Sequence, residues 1–126
     1  NAYVANYSRN IVFETENADT APVHQRGHVM LMHSNDVTVR FAEFSELGRT
    51  DKSERSFNLS DVGVVEPDSN VRGRYSLHIH RSGVDDQANP VIVEGAAVWG
   101  SPGWGFVHHD SNAIFANNAA YDVFGA

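Results

Sequence analysis

Cysteine is absent from the 126 residues, which excludes disulfide scaffolds, thiolate zinc sites and cysteine nucleophiles together. Long apolar runs are absent too; none approaches the ~20 residues that a membrane-spanning helix needs. Basic residues are few. Nine Lys and Arg face sixteen Asp and Glu, and a net charge of −7 argues against a general binder of nucleic-acid phosphates. The chain opens on polar Asn1, without the charged-then-apolar pattern of a secretory leader. Leucine is scarce as well: four Leu and four Ile stand against sixteen Val, seven Phe and four Tyr. Helical cores lean on Leu, whereas Val and aromatic residues suit pleated, half-buried surfaces. No stretch carries a 3.6-residue period beyond a turn or two. What is present is 41% hydrophobic, too apolar for a disordered chain, with ten Gly and eleven Asn to supply turns. The composition predicts an all-β chain.

Internal repetition sharpens that expectation. Residues 34–44 align without gaps on residues 111–121, residues 89–99 join the same frame, and residues 8–14 form a shorter fourth copy. In each copy a polar turn carrying Asn precedes alternating apolar positions: Ile11/Phe13, Val37/Val39, Val91/Val93 and Ile114/Ala116. A second strand family recurs just before three of the copies, at residues 28–33, 75–80 and 105–110. Strand, corner, strand and return, stacked coil on coil, is a parallel β-helix. The prediction is a right-handed parallel β-helix of about four coils, with residues 45–74 leaving as a long loop. Residues 1–126 then form a single β-helix segment of a longer chain. Its apolar ends are expected to pack end-on against another copy or against the rest of that chain.

The repeat frame also gathers histidines. Extending the gapless alignment backwards sets His33 level with Asp110 and Leu31 level with His108; matching His80 to His33 then sets His78 beside Leu31 and His108. Two outward columns result, and His33, His78, His80, His108 and Asp110 become candidate ligands of one divalent metal, Zn²⁺, Mn²⁺, Fe²⁺ or Ca²⁺. His78, His80 and Asp110 are equally candidates for catalytic proton transfer without a metal. This frame turns His109 inward beside Ile79 and Met32 and Phe106 outward; a one-residue bulge would exchange His108 for His109. His28 falls at the strand entrance.

Seven of the nine basic residues lie between Arg40 and Arg81, and no acid falls between Asp68 and Asp85. Arg72, Arg74 and Arg81 therefore make a cationic rim beside His78 and His80, suited to a sugar carboxylate or sulfate. Trp99 and Trp104 bracket a Gly- and Pro-containing turn and offer flat faces to sugar rings. Arg40 and Glu94 occupy equivalent outward positions on adjacent coils and read as a surface ion pair.

Two strings carry a family resemblance: Arg26-Gly-His-Val-Met-Leu-Met-His33 and Gly73-Arg-Tyr-Ser-Leu-His-Ile-His80, with Ala42-Glu-Phe-Ser-Glu-Leu-Gly48 between them. They resemble the β-helix of the G8-domain proteins, which include the cell-migration-inducing and cell-surface hyaluronidases and the fibrocystin-like receptors. The likeness runs over roughly residues 24–126, with Ser76 where the family usually has Pro and Ile79 near a usual aromatic. The resemblance implies a right-handed parallel β-helix, at the cell surface or outside the cell, that acts on or binds glycans. Site residues carry over only at His33, His78 and His80. The leading expectation is an enzyme degrading a uronate-containing polysaccharide such as hyaluronan, by hydrolysis ahead of elimination. The alternative is a non-catalytic carbohydrate-binding or adhesion β-helix, and a polysaccharide is the expected partner in either case.

Overall fold

Short runs rich in Val, Ile, Phe and Ala, most of them closed within two residues by Asn, Ser, Asp or Gly, fold as strands because none is long enough for a helix and turn chemistry follows. The computed structural model describes residues 8–59 and 68–125, together with Val4. Ten strands form among them: β1 Ile11–Glu14, β2 Val29–Met32, β3 Thr38–Arg40, β4 Ala42–Ser45, β5 Leu77–His80, β6 Val91–Glu94, β7 Ala97–Ser101, β8 Phe106–His109, β9 Ala113–Ala116 and β10 Ala119–Val123. A 3₁₀ turn at Val23–Gln25 precedes β2. No helix among the described residues is long and apolar enough to cross a membrane.

All strand pairs are parallel and fall into three sheets, ordered β1-β4-β7-β10, β2-β5-β8 and β3-β6-β9. The chain thus visits the three sheets in the same order three times, with β1 as an extra strand at one end. This all-β, parallel organisation is compatible with the expected stacking of coils. Alternate side chains meet in the middle: Leu77, Ile79, Val91, Val93 and Val98 of the second pass are fully buried, as is Phe44 of the first, and Val29, Leu31, Val39, Phe106, Ala113 and Phe115 on either side are partly buried. Arg40 and Glu94 are register partners and their side chains meet at 2.9 Å on the exposed face, as the repeat frame anticipates.

Two corners are turned by rows of residues with left-handed backbone. His33, Arg81 and Asp110 form one row (φ 55°, 48° and 48°), and Phe41, Gly95 and Asn117 another (φ 52°, 62° and 54°). Just after the first row comes a ladder of serines. Ser34 N–H donates to Ser82 Oγ, and Ser82 N–H donates to Ser111 Oγ, at 3.4 and 3.2 Å. Next to it Gly83 also has a left-handed backbone (φ 69°), and a Cβ there would lie 2.5 Å from the Asn112 carbonyl oxygen. Gly83→Ala is therefore expected to cost at least about 1–2 kcal/mol, the penalty of the left-handed backbone alone. Urea denaturation would measure it. Gly27→Ala is the comparison, because its backbone is ordinary and only a Leu47 methyl at 3.1 Å is crowded; an equal loss in both variants would contradict this account.

The expected long loop is real, although Ser45 still belongs to β4 and residues 60–67 lie outside the described residues. Its two legs are tied to each other. Buried Thr50 donates through Oγ1 to the Val71 carbonyl at 2.6 Å and accepts Arg74 N–H at 2.8 Å. Asp51 N–H donates to Asn70 Oδ1 at 2.8 Å, and Phe57 bridges Val71. Ser76 anchors the returning leg by donating to the Leu47 carbonyl at 2.7 Å. Held this way, the loop covers part of the outer face of the β2-β5-β8 sheet and makes one wall of a cleft.

Three expectations about register need correction. Residues 8–14 do not repeat the Val37/Val39 strand, because β1 pairs with β4, Ile11 beside Ala42 and Phe13 beside Phe44. His80 pairs with Met32 and not with His33, which stands in the corner row with Arg81 and Asp110. Ala113 and Phe115, not Ile114 and Ala116, continue the inward columns of Val91 and Val93. A strand has a period of two, so a one-residue slip moves every side chain to the opposite face.

Candidate metal centre in a cationic cleft

Strand β5 offers His78 and His80 on its outer face, two residues apart, while Leu77 and Ile79 point into the core. The neighbouring strand β8 sets Val107 beside His78 and His109 beside His80. His108 falls in the inward row of Leu31 and Ile79, at the exposed edge of the last strand, its ring 5.9 Å from Phe115. Phe106 is likewise inward, beside Leu77. Of the two arrangements left open by the sequence, His109 therefore faces the cluster.

His78, His80 and His109 offer nitrogens that all lie within 4.8 Å of one another. His78 is almost fully buried, at 5% exposure, because the loop folds over it. Its Nδ1 lies 2.9 Å from the Gly73 carbonyl oxygen. A carbonyl can only accept, so Nδ1 carries the proton and Nε2 presents a lone pair. That Nε2 is buried without a hydrogen-bond partner. An orphaned lone pair costs about 1–3 kcal/mol unless something fills it. Ligating histidines characteristically donate their other ring N–H to a carbonyl or carboxylate, as His78 does here. Nδ1 of His80 and Nδ1 of His109 are 3.1 Å apart, and the two rings stack at 5.1 Å. Tetrahedral Zn²⁺ with bonds of ~2.0–2.1 Å needs ligand nitrogens about 3.3 Å apart. The donor set fits a small cation of that kind.

Electrostatics favour the unprotonated form of two of these rings, His78 and His80. Burial, followed by neighbouring His109 and Arg74, holds His78 below the usual imidazole range despite the helpful Gly73 carbonyl. His80 is lowered by burial and then by His78, His109 and Arg81, with Asp110 acting in the opposite sense. His28, also in the cleft wall, is lowered to about 4 by burial and by Arg49, Arg74 and His78. Each folded-state value lies below the unfolded one, so the unfolded chain takes up protons first as pH falls. Stability linked to these groups is complete above pH ~6.5 and is lost on acidification towards the folded values. Between pH 6.5 and 5, where carboxylates stay ionised, the expected loss through half-buried His28 is on the order of 1 kcal/mol after solvent screening. Thermal melts across that window, with and without His28→Gln, would test it; an unchanged pH slope in the variant would rule it out.

The cleft has a volume of about 1030 Å³, and its described lining contains the three clustered histidines, Arg49, Lys52, Arg72, Arg74, Tyr75 and Trp104, but no Asp or Glu. Arg72, Arg74 and Trp104 are thus brought beside His78 and His80. Other expected residues stand apart. His33 sits at the rim, its ring edge-on to His80 at 6.4 Å. Asp110 lies at the exposed corner, 3.8 Å from Arg81 and 3.9 Å from His109 Nε2. Trp99 belongs to β7 in another sheet and donates to Glu43 at 2.8 Å. Other acids are engaged away from the cleft: Glu46 with Arg26, Asp85 with Asn35, and Asp86 with Asn89.

Arg49, Lys52 and Tyr75 were not singled out by the sequence, since only the folded loop brings them to the cleft. His109 was within reach. Ser34, Ser82 and Ser111 each follow a corner residue, and aligning them would have set His80 level with His109. Comparison of the chain with protein-family models, curated proteins and solved structures found no match.

Proposed function

We propose that this chain is part of a right-handed parallel β-helix that cleaves a uronate-containing polysaccharide, with an ion held by His78, His80 and His109. One observation carries the reading: three imidazoles converge in a cleft whose described lining carries Arg and Lys but no Asp or Glu, on a protein of net charge −7. Such a cleft attracts an anionic chain that the rest of the surface repels. The resemblance to the G8-domain proteins supports a glycan as that chain, and a location outside the cell.

Three imidazole nitrogens favour Zn²⁺ over Ca²⁺, which takes oxygen ligands. A bound ion of this type would supply an acidified water and polarise a substrate oxygen. The chain's own residues do the rest. The Gly73 carbonyl fixes the His78 tautomer, Asp110 stands behind His109, and the arginines hold sugar carboxylates. Hydrolysis is the first reading, because three protein ligands leave a fourth position open. Elimination is the second, favoured by the cations: neutralising a uronate carboxylate acidifies the adjacent C–H, an imidazole left free of the ion takes that proton, and the glycosidic oxygen leaves as the C–C double bond forms.

The test incubates the full-length protein with hyaluronan and other polyuronates, with Zn²⁺ or with EDTA, and follows chain length and the absorbance of unsaturated ends. Shortening without unsaturation identifies hydrolysis, and unsaturated ends identify elimination. Binding without shortening under every metal condition would defeat the catalytic reading and leave a carbohydrate-binding module.

A further inference from the structure

Away from the three nitrogens, the covering loop brings a second group of charges together. Arg49 N–H donates to the Arg74 carbonyl at 2.8 Å, so residues from the outgoing and returning legs are held side by side. Both line the cleft, as does His28. Like charges crowd there: both guanidinium groups act on His28, and Arg49 acts on Arg74, which is itself partly buried. Among the described residues, neither Arg49 nor Arg74 has a carboxylate within 4.0 Å. Cations that are half withdrawn from water and repel one another raise the free energy of the empty protein, and an entering anion relieves it. A guanidinium group matches a planar carboxylate through two parallel hydrogen bonds, and a second one beside it adds to the attraction.

The adjoining wall is of a different kind. Trp104 stacks on Tyr75 at 5.2 Å, and Lys52 Nζ sits 3.9 Å from the centre of the Trp104 ring. A stacked aromatic pair with an ammonium lying over the indole suits a sugar ring, whose C–H bonds pack on the rim of the pair while its hydroxyls meet the charge. An inorganic anion would use the guanidinium groups alone and gain nothing from this wall.

We infer that Arg49 and Arg74 form a carboxylate subsite for a uronic acid residue, with the neighbouring sugar ring packed on the rim of the Trp104–Tyr75 pair beside Lys52. The inference rests on the glycan reading of the cleft but not on the bound ion.

Calorimetric titration of the full-length protein in EDTA separates the two. The ligands are a glucuronate-containing oligosaccharide and the same oligosaccharide with its carboxyl groups reduced to alcohols. The acidic form is expected to bind at least tenfold more tightly. Arg49→Gln and Arg74→Gln should each remove that advantage while leaving the weak binding of the reduced form unchanged. Arg40→Gln, on another sheet, should change neither. Equal affinity for the two oligosaccharides, or an unaltered preference in both arginine variants, would overturn the subsite. So would displacement by inorganic sulfate as effective as by glucuronate, or no binding of either sugar. Loss of cleavage with the carboxylate preference intact would strike the catalytic proposal alone.

Discussion

Replacing His80 by alanine is expected to lower the affinity for Zn²⁺ by more than about 100-fold, since loss of groups that merely support a ligand already costs 10–100-fold. His80 stands in the middle of the cluster, with its ring 5.3 Å from His78 and 5.1 Å from His109. Removing it leaves two nitrogens on different strands and no third donor among them. His109→Ala should have an effect of the same order. His108→Ala should leave affinity unchanged, because His108 lies in the row of Leu31 and Ile79 and is not one of the three converging donors. Competition against a chromophoric chelator at neutral pH gives all three values. Equal losses from His108→Ala and His109→Ala would mean that the register drawn here is wrong at β8.

The largest effect on stability is expected from Phe44→Ala, about 3–5 kcal/mol, the range for deleting a buried aromatic side chain. Phe44 is 1% exposed and occupies an inward row between Phe13 and Val98. Its ring lies 5.1 Å from that of Phe13 and nearly parallel to it. Truncation would open a void between β1 and β7 that short, hydrogen-bonded strands cannot collapse to fill. Phe41 is only three residues away but 60% exposed, so Phe41→Ala should cost about 1 kcal/mol or less. Urea midpoints of the two variants decide the matter. A small loss from Phe44→Ala would show that the first pass packs loosely on the second.

Much of the fold was legible because strands announce themselves by residue choice and alternation. The frame joining residues 34–44 to 89–99 is the true register, and it correctly paired Arg40 with Glu94. The third copy slipped because the chain takes one residue fewer from His109 to Ile114 than from Met32 to Thr38. A gapless alignment cannot absorb a shortened corner. His33 and His80 were matched on similar flanking letters, Leu-Met-His and His-Ile-His, although their backbone conformations differ: His33 turns the corner and His80 ends a strand. The cleft itself was not legible. Arg49 and Arg74 become neighbours only through the hydrogen bonds that tie the loop's two legs, and neither alternation nor repetition reports on such ties.

His80 and His109 are 29 residues apart along the chain, yet their ring nitrogens approach to 3.1 Å. An ion gripped by both would act as a rivet between the second and third passes. It would remove the closure entropy of the intervening segment from the unfolded chain, much as any clip across a long loop does. The far edge of the molecule, where Ile114, Tyr121 and Phe124 are exposed, has fewer buried contacts to hold it. Its resistance to proteases would then rise and fall with the supply of metal, and a chelator would loosen that edge before the passes beneath it.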